Sequence, residues 1–348
     1  MEMMDIDILT DRERERLERH IEENRNIVIT CHKSPDGDAI GSCLAWADYL
    51  ITQHGKEPVI VIPDAFPDFL QWLPGTERIV RYDKHKEHVD LLLQVADLVF
   101  CLDFNSADRV ESMCESLQNT PAKRVMIDHH LNPSLDTVLT ISRPEMSSTA
   151  ELVFRIIWQM GDFESVTKKC AAAIYCGMMT DTGGFTYNST RPEIFYIIGL
   201  LLTKGIDKDK IYRSVYNNYS VSAIKMRGYV MYERLQVFPE SRACYFSLSA
   251  DDMRRFHFIK GDAEGLVNEA LRIKGMRLSV SLREDDRKDK LVWVSLRSVG
   301  DFTCNDIAER YFNGGGHKNA SGGKLFCSLA DAEKVVVQVF DTLKIKKN

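Results

Sequence analysis

The chain has no apolar run near the roughly 18 residues needed to cross a membrane. Its longest, Ile194 to Leu202, sits between Arg191 and Lys204 and reads as a buried helix. The nine cysteines are odd in number, scattered and never spaced C-x-x-C, which excludes a disulfide framework and a zinc ribbon. Cys101, Cys170 and Cys176 lie within apolar runs, where a free thiol behaves as a small hydrophobe. Basic residues are not in excess either. Lys and Arg number 45 against 51 Asp and Glu, a net charge of −6 that argues against coating long nucleic acid. No repeat or low-complexity tract is present, and the first residues lack the basic-then-apolar pattern of an export signal. These absences leave a protein expected in a reducing cytoplasm, without membrane or long-duplex partners. A short anionic substrate in a local basic pocket remains compatible with them.

At 348 residues, with 44% hydrophobic and 28% charged, the chain predicts two soluble domains. Met1 to Asp7 is acidic and is expected to fray. Thr10 to Glu13 forms a capping box that opens a surface helix to Asn24. Buried strands follow at Ile27–Thr30, Pro58–Ile62, Asp97–Leu102 and Arg124–Ile127, with helical patterns between them. That alternation predicts an α/β domain with a parallel sheet covered on both faces. Ser147-Ser148-Thr149 before Glu151 looks like a capped helix start, and Lys169 to Met179 is a further apolar helix. Residues 191–238 are helical and Tyr-rich and read as a bridge. Residues 239–348 alternate strands (Ala243–Leu248, Arg277–Arg283, Leu291–Leu296) with helices, the last two strands forming a hairpin about the charged Glu284–Lys290 turn. They predict a smaller α+β domain ending in a helix, Asp331 to Leu343.

Chemistry-bearing residues collect at element ends of the first domain. His32-x-x-x-Asp36-x-Asp38 follows the first strand, Asp103 the third, and Asp128-His129-His130 the fourth, while Asp181 follows an Ala-rich helix and precedes two glycines. Each is a common turn former or satisfied side chain when taken singly. Jointly, carboxylates and imidazoles without a nearby thiol suit hard-to-intermediate divalent ions. They exceed the ligand needs of one tetrahedral ion, and a pair of ions about 3.5–4 Å apart would use them all.

With Gly314-Gly315-Gly316-His317-Lys-Asn-Ala-Ser-Gly-Gly323, the sequence carries five motifs in the order of the DHH phosphoesterases, which it resembles along nearly its whole length. That resemblance implies a catalytic domain over 1–190, a helical bridge over 191–238 acting as hinge, and a C-terminal substrate-binding domain over 239–348. It implies two divalent ions, Mn²⁺ or Mg²⁺, one on His32, Asp36 and Asp103 and the other on Asp38, Asp103, His129 and Asp181. Asp128 would orient a neighbouring imidazole and His130 would face the nucleophile or scissile phosphate. Arg297 resembles the family's substrate-phosphate arginine, with Arg283 a second candidate. Gly314 to Gly316 are expected to form a tight turn whose N–H groups nest an anion beside His317. Gly37 is expected to let two acidic positions turn toward different ions.

Within the family, the compact form resembles the nano-RNase and 3'-phosphoadenosine 5'-phosphate phosphatase group. The resemblance implies hydrolysis of very short oligoribonucleotides to mononucleotides and of the adenosine bisphosphate to AMP. A stand-alone cyclic di-AMP or pApA phosphodiesterase shares the same motifs. A nucleotide sensor without turnover would be marked by a missing ligand, and none is missing. A homodimer through apolar helices of the catalytic domain is compatible with the pattern.

Overall fold

The computed structural model describes residues 4–259, 261–286 and 288–344, so Met1–Met3 and Arg287 of the expected hairpin turn lie outside it. It divides into two units, the first ending at Asn218 and the second beginning at Tyr219.

The first unit is an α/β fold on a six-stranded, wholly parallel sheet. Its strands are β1 (Ile27–Thr30), β2 (Val59–Ile62), β3 (Val80–Arg81), β4 (Leu98–Leu102), β5 (Lys123–Asp128) and β6 (Leu139–Ser142), in the order β3-β2-β1-β4-β5-β6. Every residue of β1 and β4 is buried, as parallel strands covered on both faces require. The helices are α1 (Asp11–Glu23), α2 (Gly37–His54), α3 (Lys86–Val95), α4 (Cys114–Asn119), α5 (Thr149–Gln159), α6 (Lys168–Asp181), α7 (Pro192–Thr203) and α8 (Lys208–Tyr216). Strand order reverses between β1 and β4, and a crevice at the carboxyl ends of such a pair is where α/β sheets hold their ligands.

Two strands of the first unit escaped the sequence pattern. β3 has only two residues, and β6 alternates buried with exposed positions at the sheet's edge. The N-terminal segment is also better anchored than its acidity suggests. Ile6 is buried, and its carbonyl accepts a bond from Arg155 Nη1 at 3.1 Å.

α2 and α6 run antiparallel at close range because glycines face each other across them. A Cβ on Gly41 would meet the Ala173 carbonyl oxygen at 2.5 Å, and one on Gly177 would meet Asp38 Oδ1 at 2.9 Å. Gly37 has the same duty. It does not use left-handed backbone; instead, a Cβ there would lie 2.4 Å from Thr180 Oγ1. The expected role in turning two carboxylates apart is therefore replaced by close packing.

The second unit holds α9 (Val221–Tyr229) and strands β7 (Gln236–Phe238), β8 (Ala243–Leu248), β9 (Leu278–Glu284), β10 (Val292–Ser298), β11 (Gly315–His317) and β12 (Ala320–Leu325). Helices α10 (Ala250–Arg255), α11 (Leu266–Glu269), α12 (Asn305–Tyr311) and α13 (Leu329–Thr342) complete it. The mixed sheet runs β11-β12-β10-β9-β8-β7. One face, with Leu278, Val280, Leu282, Val294 and Leu296, packs in a core with Val336, Val339 and Phe340 of α13. The Tyr-rich stretch 191–238 divides, with α7 and α8 in the first unit and α9 in the second. All nine cysteines are free. No helix among the described residues is long and apolar enough to cross a membrane.

Gly41→Ala should destabilise the protein by roughly 2–3 kcal/mol because the obstructing atom is backbone. Gly199→Ala, mid-helix with nothing within 4 Å of its added Cβ, should stabilise it by roughly 0.5–1 kcal/mol. Urea denaturation of the two variants checks both signs.

Candidate metal centre

Five loops or element ends of the first unit converge on one crevice. His32 leaves β1, and its Nε2 lies 3.4 Å from Asp103 Oδ2 and 3.8 Å from Asp36 Oδ2. Asp36 caps α2: its Oδ1 accepts the N–H groups of Asp38 and Ala39, both at 3.0 Å, leaving Oδ2 toward the histidine. His129 Nε2, just past β5, lies 3.4 Å from Asp181 Oδ2, 3.6 Å from Asp103 Oδ1 and 3.8 Å from Asp38 Oδ2. Asp103 thus stands between two groups of donors, His32 with Asp36 and Asp38 with His129 and Asp181. A third group joins Asp103 to Asp128 and His130, with His130 Nδ1 donating to Asp128 Oδ1 at 2.7 Å. Every residue expected as a metal ligand lies in this crevice.

The backbone is bent to allow it. Asp103 adopts φ +64° directly after β4, a left-handed conformation that a non-glycine residue holds only when its surroundings enforce it. Its main-chain N–H is taken by Ile127 O at 3.1 Å, and its Oδ1 accepts Thr149 Oγ1 at 2.9 Å. Asp38 is buried and sits on the first turn of α5, where Oδ2 accepts Thr149 N at 2.7 Å and Oδ1 accepts Ala150 N at 2.9 Å. A helix N-terminus offers both free N–H groups and a positive dipole end to a carboxylate.

The imidazoles are fixed in one tautomer. His32 Nδ1 is 2.8 Å from Lys33 O, and His129 Nδ1 is 3.2 Å from Met146 O. A carbonyl only accepts, so each Nδ1 carries the proton and each Nε2 presents a lone pair to the carboxylates. Burial lowers the pKa of His32 and His129, and pushes that of His130 well down, so all three are neutral. Burial, then Asp36, pushes Asp38 up to about 7. Burial, then Asp38, Asp36 and Asp181, raises Asp103 well above the ordinary carboxyl range, and burial lifts Asp128 to about 6. Burial acts in the same sense on Asp36, but the N–H groups of Ala39 and Asp38 are among the contacts that outweigh it and hold the group low.

Lone pairs therefore converge on lone pairs, which is stable only around protons or cations. The donors are imidazole nitrogen and carboxylate oxygen at 3.4–3.8 Å spacing. That is close to the ~3 Å expected for neighbouring ligands about 2.1 Å from one divalent ion. The residues fit a divalent cation. The carbonyl bonds to Nδ1 are also the second layer that orients metal-bound histidines.

Sequence reasoning missed Thr149 and the role of Glu151. Glu151 is fully buried and accepts Ser147 N (2.8 Å), Ser147 Oγ (2.6 Å), Arg155 Nε (2.8 Å) and Arg191 Nη2 (3.0 Å). This knot holds the start of α5 where Asp38 and Asp103 meet it. The Ser-Ser-Thr-x-Glu signature announced a helix start; nothing in it announced which carboxylates would sit there.

In the second unit, Arg297 pairs in register with Ala320, which in turn pairs with His317. Arg283 lies two strand residues beyond Ser281 on β9, which also carries Ser279 opposite Arg297. The period-two alternation therefore places Arg297, His317 and Arg283 on one face. Arg297 Nη1 donates to Leu296 O at 2.9 Å, while its Nε is buried without a hydrogen-bond partner. Arg283 stacks 5.5 Å over the Phe258 ring. The expected glycine nest is corrected here. Gly315 and Gly316 form an edge strand paired with Gly322 and Ser321, and a Cβ on Gly314 would lie 1.8 Å from Gly322 O. The glycines serve close strand approach rather than a tight turn.

The family model of the DHH family N-terminal domain matches residues 26–178, and that of the DHHA1 domain matches residues 245–342. The chain belongs to the DHH family of phosphoesterases and is a hydrolase. A solved structure of an exopolyphosphatase-related protein from Bacteroides fragilis is 46% identical with TM-score 0.91, covering 96% of this chain and 97% of that one. The bifunctional oligoribonuclease and PAP phosphatase NrnA of Bacillus subtilis is 24% identical over 316 residues, 90% of this chain and 93% of that protein. The cyclic-di-AMP phosphodiesterase PdeA of Listeria monocytogenes is 24% identical over 332 residues, 93% of this chain but 49% of that protein.

A carboxyl pushed up to about 7 still carries its proton at pH 6 in the metal-free protein, so an incoming cation must expel it. Mn²⁺ titrated calorimetrically at pH 6 in buffers of different ionisation enthalpy should release about one proton or more per protein, and the release should fall as the pH rises through 7. Buffer-independent heats at pH 6 would contradict this. Glu151→Ala should cost about 3–5 kcal/mol in denaturant unfolding, since it strands the buried Arg155.

Proposed function

We propose that this protein hydrolyses oligoribonucleotides of two to a few residues to mononucleotides, and 3'-phosphoadenosine 5'-phosphate to AMP. The observation that carries the reading is the pair of donor groups on either side of Asp103, whose Oδ2 lies 3.4 Å from His32 Nε2 and whose Oδ1 lies 3.6 Å from His129 Nε2. It occurs in a chain whose similarity to a bifunctional oligoribonuclease and PAP phosphatase extends over 90% of its length.

We assign His32, Asp36 and Asp103 to one divalent ion and Asp38, Asp103, His129 and Asp181 to the other, with Mn²⁺ the preferred ion. When bound, such a pair supplies the Lewis acidity that makes water nucleophilic near neutral pH and offsets charge on the phosphoryl group. The chain's own residues arrange the rest. Thr149 and Ala150 fix the Asp38 carboxylate, and Thr149 Oγ1 fixes that of Asp103. The Lys33 and Met146 carbonyls keep the His32 and His129 lone pairs on Nε2. Asp128 holds the His130 proton on Nδ1, so His130 Nε2 is the atom able to take a proton from the nucleophile or return one to the departing oxygen. Arg297, His317, the Gly314–Gly316 backbone and Arg283 are the proposed substrate-binding residues, Arg297 through a bidentate hold on phosphate. The reaction is proposed for the cytoplasm.

A second reading, a cyclic di-AMP or pApA phosphodiesterase, draws on the similarity to PdeA across 93% of this chain. Rates on pApA, longer oligoribonucleotides, 3'-phosphoadenosine 5'-phosphate and cyclic di-AMP, measured side by side in Mn²⁺, separate the two. The first reading expects mononucleotide release from pApA and from oligoribonucleotides of a few residues, and AMP from the adenosine bisphosphate, with cyclic di-AMP slow. It also expects Asp103→Asn to lose about 10³-fold or more, since the residue shared by both ions cannot be spared. Cleavage of long single strands with dinucleotides untouched would sink it.

A further inference from the structure

The five aspartates of the crevice, Asp36, Asp38, Asp103, Asp128 and Asp181, amount to −5 when ionised. Two divalent ions leave that sum at about −1, and a phosphodiester makes it about −2 before any charge develops in the reaction. A protein cation is therefore needed within the first unit's own crevice. The cations on neighbouring loops are mostly committed. Lys33 pairs with Glu111, Arg81 with Asp83, and Arg191 with Glu151. Arg109 has no side-chain hydrogen bond and no ion-pair partner among the described residues, although it is partly buried.

Its backbone is pinned between the two histidine loops. The Arg109 carbonyl accepts Lys33 N, next to His32, at 2.8 Å. Arg109 N donates to Ser106 O at 3.2 Å. Asn105, one residue earlier than Ser106, donates through Nδ2 to Leu131 O, next to His130, at 2.6 Å, and its carbonyl accepts Ser134 N at 2.8 Å. The segment Ala107–Met113 that carries Arg109 is kinked at Glu111, which holds φ +39°.

We propose that Arg109 is a substrate-binding residue of the catalytic unit, whose guanidinium takes a non-bridging oxygen of the phosphate being cleaved. The inference rests on the reading of this crevice as the phosphoester-cleaving site. An unpaired guanidinium on a segment tied by hydrogen bonds to Lys33 and to Leu131 offers a planar fork of donors that suits phosphate and draws on no carboxylate already engaged. It also acts without leaving the first unit, so it contributes with any phosphoester that reaches the crevice. The competing role is structural: Asp128 Oδ2 is buried with no hydrogen-bond partner, and Arg109 could serve only to offset that charge.

Arg109→Gln and Arg109→Lys, compared with the parent, separate the roles. Three measurements are needed: kcat and KM on pApA in Mn²⁺, calorimetric affinity for Mn²⁺ alone, and affinity of the Mn²⁺-loaded protein for AMP. Phosphate binding predicts that Arg109→Gln loses about 10²-fold or more in kcat/KM and about tenfold or more in AMP affinity. Its Mn²⁺ affinity should be unchanged or tighter, because a positive charge beside the ions has been removed, and its Tm should be unchanged. Arg109→Lys should recover part of the loss. Parental kcat/KM and AMP affinity in Arg109→Gln would overturn the proposal. So would a joint fall in Tm and Mn²⁺ affinity, which marks support of Asp128. If the parent turns over none of the nucleotide substrates, the proposed activity fails, and the AMP titration alone decides the role of Arg109.

Discussion

The crevice depends on a repulsion being contained. Carboxylates and imidazole lone pairs point at one another at 3.4–3.8 Å, and the fold supplies no side-chain cation among the donors themselves. What holds Asp38 in place is the first turn of α5, through two backbone N–H groups, and what holds Asp103 is the Thr149 hydroxyl of the same turn. Hydrogen bonds to the ionised form favour it, yet burial and neighbouring carboxylates still leave Asp38 and Asp103 with raised pKa values. The fold has organised the donors and left their charge for an incoming cation to balance. Strain in this arrangement is local and visible in the left-handed backbone of Asp103.

That turn is itself held by a second charged group with the opposite character. Glu151 is saturated, with donors from Ser147, Arg155 and Arg191 around one buried carboxylate. A buried ion pair contributes little net stability over a hydrophobic equivalent, but breaking it is costly. Its value here is positional. It ties α5 to the Arg191 segment that precedes α7, so the helix start touching both Asp38 and Asp103 is braced from behind.

The candidate ligand set was legible in sequence because its members sit at the ends of regular elements, and a polar residue closing a buried strand or helix stands out against the apolar pattern. His32, Asp103 and Asp128-His129-His130 follow or close runs of continuous burial. The strand order that brings β1 beside β4 leaves no such local mark, nor does the fact that Thr149 rather than Ser148 reaches the carboxylates. β3 and β6 were missed because two residues carry no period and an edge strand alternates only weakly. The glycine motif near the C-terminus was placed correctly as a glycine-rich segment but misread in form. A turn and a closely paired edge strand both demand glycine, and only the positions of Gly322 and Gly323 opposite Gly315 and Phe312 distinguish them.

The spacing of the ligands traces to residues with almost no side chain. Gly37 faces Thr180, and Gly41 faces Ala173 and Gly177, so the start of α2 lies against the end of α6 at the closest approach that backbones permit. Asp38 and Asp181 therefore meet at the same end of an antiparallel helix pair, although the sequence separates them widely. Their electrostatic situations are opposite. Asp38 stands in the first turn of α2, where a helix dipole favours a carboxylate, while Asp181 is the last residue of α6, where it does not. Packing alone would not select an acid at the second position. A cation between the two reverses the balance, because it is drawn to the carboxyl end of α6 and to both side chains together. The glycine contacts and the placement of Asp181 are thus two halves of one arrangement, in which close helix packing sets the distance and the bound charge accounts for the residue.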